Sequence, residues 1–378
     1  MTQKRIMIIA GEASGDLHGS GLVRECLALD PTLHFLGIGG SLMRAQGVEI
    51  LVDARDMAVV GLVEVAAHFP IIYRAFRKMG RILREDPPNL LVLIDYPDFN
   101  LRLARVAKAA GVKVLYYISP QVWAWRVGRV RKIARLVDRM AVVFPFEVPF
   151  YEKEGVPVSF VGHPLVDSVR PTMSAADARD AFGVDPSRRT IGLFPGSRKQ
   201  EIRKHLPTLL ESARLLAKRF ADLQFIIPLA SSLDRSDVAP YLDLSDVPVI
   251  LVEGGQGCDV IQVCDAIISV SGTVTLEIAL LGIPMVIIYK VSPLTYLVGK
   301  RLIRVDHIGI CNIVADKRVV RELIQHEAEP GPITDEIARI LTDASYADEI
   351  RQGLALVRER LGDVGCSTRV AAIVREML

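Results

Sequence analysis

Short apolar runs alternate with longer amphipathic segments along this chain, and the alternation happens twice with a polar break between. The first series is RIMIIA (5–10), LHFLGIG (33–39), LLVLID (90–95), KVLYYIS (113–119), RMAVVF (139–144) and VSFVG (158–162). Runs of this length separated by helical patterns imply a parallel sheet covered by helices on both faces. Residues 164–189 then turn polar, and the rhythm restarts with TIGLFPGSR (190–198), LQFIIPL (223–229), VPVILVEG (247–254), CDAIISVSG (264–272) and IPMVIIY (283–289). A chain of 378 residues, half of them hydrophobic, is also long for one core. The expected fold class is therefore α/β, with two Rossmann-like domains over 1–170 and 171–342. A charged amphipathic helical segment, 343–378, is free to pack back on the first half.

Several function classes drop out. A formal charge of +2 gives no global attraction to nucleic acid. The five cysteines are widely spaced and form no C-x-x-C pair, which argues against a disulfide framework or thiolate zinc site and fits a reducing cytoplasm. No leader pattern opens the chain, and no stretch reaches the roughly 20 apolar residues that span a bilayer. The loop after the first run, AGEASGDLHG, is not G-x-G-x-x-G, and the second run ends in LGIGG without an acid for a ribose, so NAD is not expected. Neither GEASGDLH nor PGSRKQ is a P-loop.

In open α/β sheets, ligands sit beyond the carboxyl ends of strands, and three such loops carry chemistry. In FPGSRKQE, Gly196 allows close backbone approach, Ser197 offers a hydroxyl and Arg198 a fork of donors suited to phosphate. A strand-to-helix turn with a solvated arginine would read the same. In SVSGTVTLE, Ser271, Gly272, Thr273 and Thr275 open a helix whose amides and dipole suit a diphosphate, with Glu277 one turn in to accept ribose hydroxyls. An ordinary N-cap would also look like this; the pairing with Arg198 favours a nucleotide diphosphate. In IDYPDFN, Asp98 or Asn100 caps the next helix, but capping explains one acid only. Asp98, and second to it Asp95, are candidate general bases toward a hydroxyl. His18 is a rival base.

The motifs AGEASGDLHG, GIGG, VVGLVEV, IDYPDFN, SPQVWAWR, FPFE, FVGHPLVD, FPGSR, SGTVTLE and NIVADKRVVRELIQ run nearly the whole length. In that order they closely resemble the lipid-A-disaccharide synthase family. Tyr96 stands where alanine is usual in that family, and ICN at 310–312 where LPN is usual. The resemblance implies the GT-B architecture, two Rossmann-like domains facing a central cleft. It also implies an inverting glycosyltransferase that joins UDP-2,3-diacylglucosamine to 2,3-diacylglucosamine 1-phosphate (lipid X), releasing UDP and a β-1,6-linked disaccharide. No cofactor is expected, and with no D-x-D in the chain no metal either. Asn312, Glu322 and Gln325 match positions near the nucleotide, though capping and helix surface explain them nearly as well. Glu12, Ser14, Gly15, Asp16 and His18 fall on the acceptor side.

Acylated substrates give two further segments a lipid reading. Val59, Val60, Leu62 and Val63 lie in an apolar stretch that either packs in a core or dips into the inner-membrane surface. Trp125 and Arg126 open a basic amphipathic stretch, either a solvated helix face or a contact for anionic lipid and the acceptor's 1-phosphate. The expected location is the cytoplasm, peripherally on the inner membrane, without nucleic acid. A homodimer is admitted, but no residue argues for it. Alternatives are another UDP-sugar enzyme, such as a 2-epimerase or a transferase with a different acceptor, and a non-catalytic UDP-sugar or phospholipid binder.

Overall fold

The apolar runs form two separate parallel sheets in this chain, whose computed structural model describes residues 3–57, 62–120, 129–291 and 307–378, with 62–69 and 129 described by backbone alone. The first sheet contains β1 (Arg5–Ala10), β2 (His34–Gly39), β3 (Glu49–Asp53), β4 (Leu90–Ile94), β5 (Lys113–Tyr117), β6 (Arg139–Val142) and β7 (Val158–Phe160). Its order is β3-β2-β1-β4-β5-β6-β7. The second contains β8 (Arg189–Phe194), β9 (Leu223–Pro228), β10 (Val249–Val252), β11 (Ala266–Val270), β12 (Met285–Tyr289) and β13 (Glu322–Ile324), ordered β10-β9-β8-β11-β12-β13. Both follow the 3-2-1-4-5-6 order of nucleotide-binding sheets.

The strands read as unbroken apolar runs because helices cover both faces. Residues Ile6 to Ala10 of β1 are 0% exposed, and its neighbour β4 is equally closed from Leu90 to Leu93. The pairing Ile6↔Leu90 through Ala10↔Ile94 brings both strands to their carboxyl ends together. In the second sheet Ile191↔Ala266 through Phe194↔Ser269 does the same for β8 and β11. At these two places the strand order reverses, so each unit has one switch point where loops part and leave a crevice.

Met1–Asp167 with Leu361–Leu378 make one compact unit, and Ser168–Arg360 the other. The C-terminal segment divides between them. The helix Ala344–Arg360 packs within the second unit on the helices Ile310–Ala315 and Val274–Leu281. The helix Cys366–Met377 lies on Ala13–Leu29 of the first. Its start is tied down by Asp167, whose Oδ1 and Oδ2 accept the Gly365 and Cys366 amides at 2.6 and 3.0 Å. Among the described residues no helix is long and apolar enough to cross a membrane.

Candidate functional site

The switch point of the second unit is lined by the two loops expected to hold phosphate. After β8 the chain passes Pro195 and turns at Gly196, whose φ of +108° belongs to the left-handed region. A Cβ there would run into the Glu201 carboxylate. Glu201 folds back from the first turn of the helix Lys199–Arg219 and accepts the amides of Ser197 and Arg198 at 2.8 and 3.2 Å. The same carboxylate pairs with Arg198 Nη1 at 3.1 Å, while the Arg198 side chain stays 69% exposed. Glu201 thus sets the loop's shape without withdrawing the guanidinium from solvent.

Opposite, the Ser271 amide continues β11 by bonding Ile288 O at 3.0 Å. Gly272 then opens the turn into the helix Val274–Leu281, with open space where a side chain would project. Together the loops border a cleft of about 440 Å³ that includes Ser197, Arg198, Ser271, Thr273 and Glu277. Burial raises the Glu277 carboxyl above its ordinary value. Ser231 and Gly255, from the loops after β9 and β10, complete the wall. Sequence reasoning passed over both, although the glycines of EGGQG after an apolar run are a signal of the same kind as PGSR.

Other expected nucleotide residues are engaged inside the fold. Thr275 is fully buried and donates its hydroxyl to Gly272 O at 2.7 Å, shaping the turn from beneath. Asn312 is 0% exposed and uses both ends of its amide. Nδ2 donates to Val320 O and Glu322 Oε1, and Oδ1 accepts the Val319 and Val320 amides. Glu322 also accepts the amides of Ile308 and Gly309 at 2.8 and 3.0 Å. Gln325, at φ +55°, closes a two-bond ring with the Val291 backbone. These three side chains clamp loops at the β12 and β13 edge.

In the first unit, the loops after β1 and β4 meet at the switch point. Gly11 carries no side chain because a Cβ would lie 2.7 Å from Tyr96 Cδ1. Glu12 and Ser14 are exposed at the start of the helix Ala13–Leu29, and Gly15 lets that helix settle on Ala10. Asp16 faces away from solvent, 6% exposed, and caps the helix Ser41–Ala45 instead of lining a crevice. Burial lowers His18 to about 4, which leaves it neutral and a poor proton acceptor near pH 7. The expectation of His18 as a rival base thereby weakens.

After β4, Asp95 and Tyr96 take φ of +43° and +47° before the helix Pro97–Ala109 begins. The Asp95 carboxyl is raised to about 6, first by burial and then by the nearby charge of Glu12. The structure thus brings Glu12 and Asp95 into one electrostatic neighbourhood. Asp98 sits in the first turn of the helix, solvent-exposed. Val59, Val60, Trp125 and Arg126 lie outside the described residues, as do the side chains of Leu62 and Val63.

A larger cleft, about 610 Å³, lies between residues 317–321 and the helix Ala344–Arg360. It contains no strand-end loop of a switch point. Two of its lining residues are tied to buried Glu336 behind it, which pairs with Arg321 at 3.2 Å and accepts the Tyr346 hydroxyl at 2.6 Å.

Comparison with known proteins places this geometry in context. A family model described as lipid-A-disaccharide synthetase matches residues 6–374. A lipid-A-disaccharide synthase of Geobacter metallireducens is 68% identical over 375 residues, covering 99% of this chain and 97% of that protein. Among solved structures, a Neisseria meningitidis UDP-GlcNAc 2-epimerase bound to UDP-GlcNAc superposes with a TM-score of 0.62 at 14% identity, covering 98% of each chain. A calicheamicin glycosyltransferase gives 0.60 at 16% identity, covering 100% of this chain and 99% of its own.

Proposed function

The chain belongs to the lipid-A-disaccharide synthetase family and is a glycosyltransferase of lipid A disaccharide synthesis, and from that premise we propose which residues perform the transfer and on which substrates. The donor is UDP-2,3-diacylglucosamine and the acceptor is lipid X. The observation that carries this reading is the convergence of Arg198, Ser271, Gly272 and Thr273 on one switch-point cleft. A fold neighbour solved with UDP-GlcNAc supports a UDP-sugar there.

The chemistry follows from charge. As the bond from the anomeric carbon to the diphosphate lengthens, negative charge collects on the leaving oxygen. An exposed guanidinium beside a loop of backbone amides stabilises that charge more than it stabilises the ground state. Asp98 removes the proton from the acceptor's 6-hydroxyl as its oxygen bonds the anomeric carbon from the face opposite UDP, so the configuration inverts. Asp95, raised to about 6, is mostly ionised at pH 7 but less ready than an ordinary aspartate to stay so in mild acid. Glu277 holds the nucleotide ribose, and Glu12 and Ser14 line the acceptor side. The enzyme works at the inner-membrane surface, where its acylated substrates reside.

The test is direct. Purified protein is incubated with UDP-2,3-diacylglucosamine and lipid X, and the products are read by mass spectrometry. A disaccharide 1-phosphate with equimolar UDP is expected. Release of UDP without a disaccharide, or 2-epimerised donor, would favour another UDP-sugar enzyme.

A further inference from the structure

We propose that Tyr116 and Asn100 are positioning residues for the transfer: by holding the carbonyl of Asp95 they fix the left-handed turn from which Asp98 starts its helix. The inference rests on the reading of Asp98 as the base and adds the means by which that base is aimed.

Two consecutive non-glycine residues in the left-handed region are costly, and such strain persists only where the surroundings over-determine it. Here they do. With Asp95 at φ +43° and Tyr96 at φ +47°, the peptide between them turns its carbonyl inward. Asp95 O accepts the Tyr116 hydroxyl at 2.6 Å and Asn100 Nδ2 at 2.6 Å. Both donors are 0% exposed and come from different elements, β5 and the helix Pro97–Ala109. Rotating the peptide to an ordinary conformation would strand two buried donors, which the interior opposes. The remaining restraints pin the ends of the turn. The Asp95 amide bonds Tyr117 O at 3.2 Å, Asn100 N bonds Tyr96 O at 3.1 Å, and the Tyr96 hydroxyl bonds Met57 O at 3.2 Å.

Asn100 shows that its donors are what the site requires. Nδ2 also reaches Ile94 O at 3.2 Å, while the buried Oδ1 has no hydrogen-bond partner among the described residues. A side chain kept only for its volume would not carry a buried unmatched acceptor into the interior. The neighbouring strand β5 also leaves its sheet through a left-handed residue, Ile118 at φ +63°. Strained turns therefore gather at the carboxyl ends of two neighbouring central strands, as they do where geometry serves chemistry.

The experiment compares Tyr116→Phe, Asn100→Asp and Asp98→Asn in the full chain. Tyr116→Phe keeps the ring and removes one donor; Asn100→Asp keeps the size and replaces the other donor with an acceptor. For Tyr116→Phe and Asn100→Asp, kcat is expected to fall at least tenfold with KM for the UDP-sugar within twofold; the thermal midpoint should change little in Tyr116→Phe and drop in Asn100→Asp, which turns an acceptor toward two buried carbonyls. The acid limb of the kcat–pH profile should also move, because the Asp95 carboxyl sits in the displaced turn. Parental kcat in both clamp variants, with Asp98→Asn inactive, overturns the clamp alone. A parallel loss of kcat, UDP-sugar KM and thermal midpoint in both would assign them a merely structural role and also overturn it. Parental turnover by Asp98→Asn overturns the base reading and the clamp with it. If Tyr116→Phe fails to fold, Asn100→Asp decides.

Discussion

Asp16 grips Gly40. Its Oδ1 accepts the Gly40 amide at 2.7 Å and the Met43 amide at 3.0 Å, and Oδ2 accepts the Leu42 amide at 3.0 Å. A Cβ on Gly40 would lie 2.5 Å from Oδ2, so the carboxylate and the bare glycine require each other. Two motifs 24 residues apart, GEASGD and GIGG, are thus halves of one helix cap.

Asp16→Ala should therefore act on stability before it acts on substrate. Removing a carboxylate that satisfies three amides costs about 3 kcal/mol, which lowers the melting point by roughly 6–12 °C for a unit of this size. Differential scanning calorimetry would register it. An unchanged transition with a raised acceptor KM would return Asp16 to the acceptor site.

Asp98→Asn should abolish turnover while sparing nucleotide binding. Removing a general base typically costs about 10²–10⁴-fold in rate, and the amide keeps the size of the carboxylate. Calorimetric titration with UDP should give the parental affinity, because Asp98 belongs to the first unit and the phosphate loops to the second.

Arg198→Ala should reduce kcat by about 10²–10³-fold, the usual loss on removing one donor to developing charge. Arg198→Lys should recover only part of this, since an ammonium lacks the two-pronged geometry. Steady-state kinetics with varied donor would separate kcat from KM. Full activity in the lysine variant would show that charge alone suffices.

Acid should destabilise the first unit. His18 and His163 are lowered to about 4 and about 3, chiefly by burial. Their folded values lie below the unfolded 6.5, so as pH falls through 6.5 the unfolded chain takes protons that the native chain refuses. The stability they contribute is present above pH 6.5 and lost toward pH 4. Asp95 acts oppositely: raised to about 6 from 3.8, it favours the native state as pH falls from 6 to 3.8. Two histidines outweigh one carboxylate. Thermal midpoints measured from pH 7.5 to 4.5 should fall, and His18→Gln should flatten the slope.

Much of this was legible before any coordinates. The βα alternation located eleven of the thirteen strands among the described residues, because doubly covered strands must be continuous apolar runs. The two that escaped are edge strands: β3 has no buried residue, and β13 is three residues long. Gly196 and Gly272 were readable because a glycine before a helix signals close backbone approach. The intramolecular bonds of Asp16 and Asn312 were not legible in the sequence. Their partners are backbone amides in other segments, and nothing in a linear sequence distinguishes a carboxylate or amide aimed at a ligand from one aimed at the chain itself. The Asp95 turn escaped for a related reason, since Tyr116 supports it from a neighbouring strand.

The return of the last helix to the first unit sets an order on synthesis. Ser367 meets the Ala13–Leu29 helix at Gly21, Thr368 donates to Glu25 at 3.0 Å, and Lys113 donates to Met377 O at 2.6 Å. All of these wait for residues translated only after the whole of the second unit. The first unit therefore emerges with an uncovered helix face and stays open to chaperones longest, although it begins to form first. The later-made unit is contiguous from Ser168 to Arg360, so its folding waits for no such return.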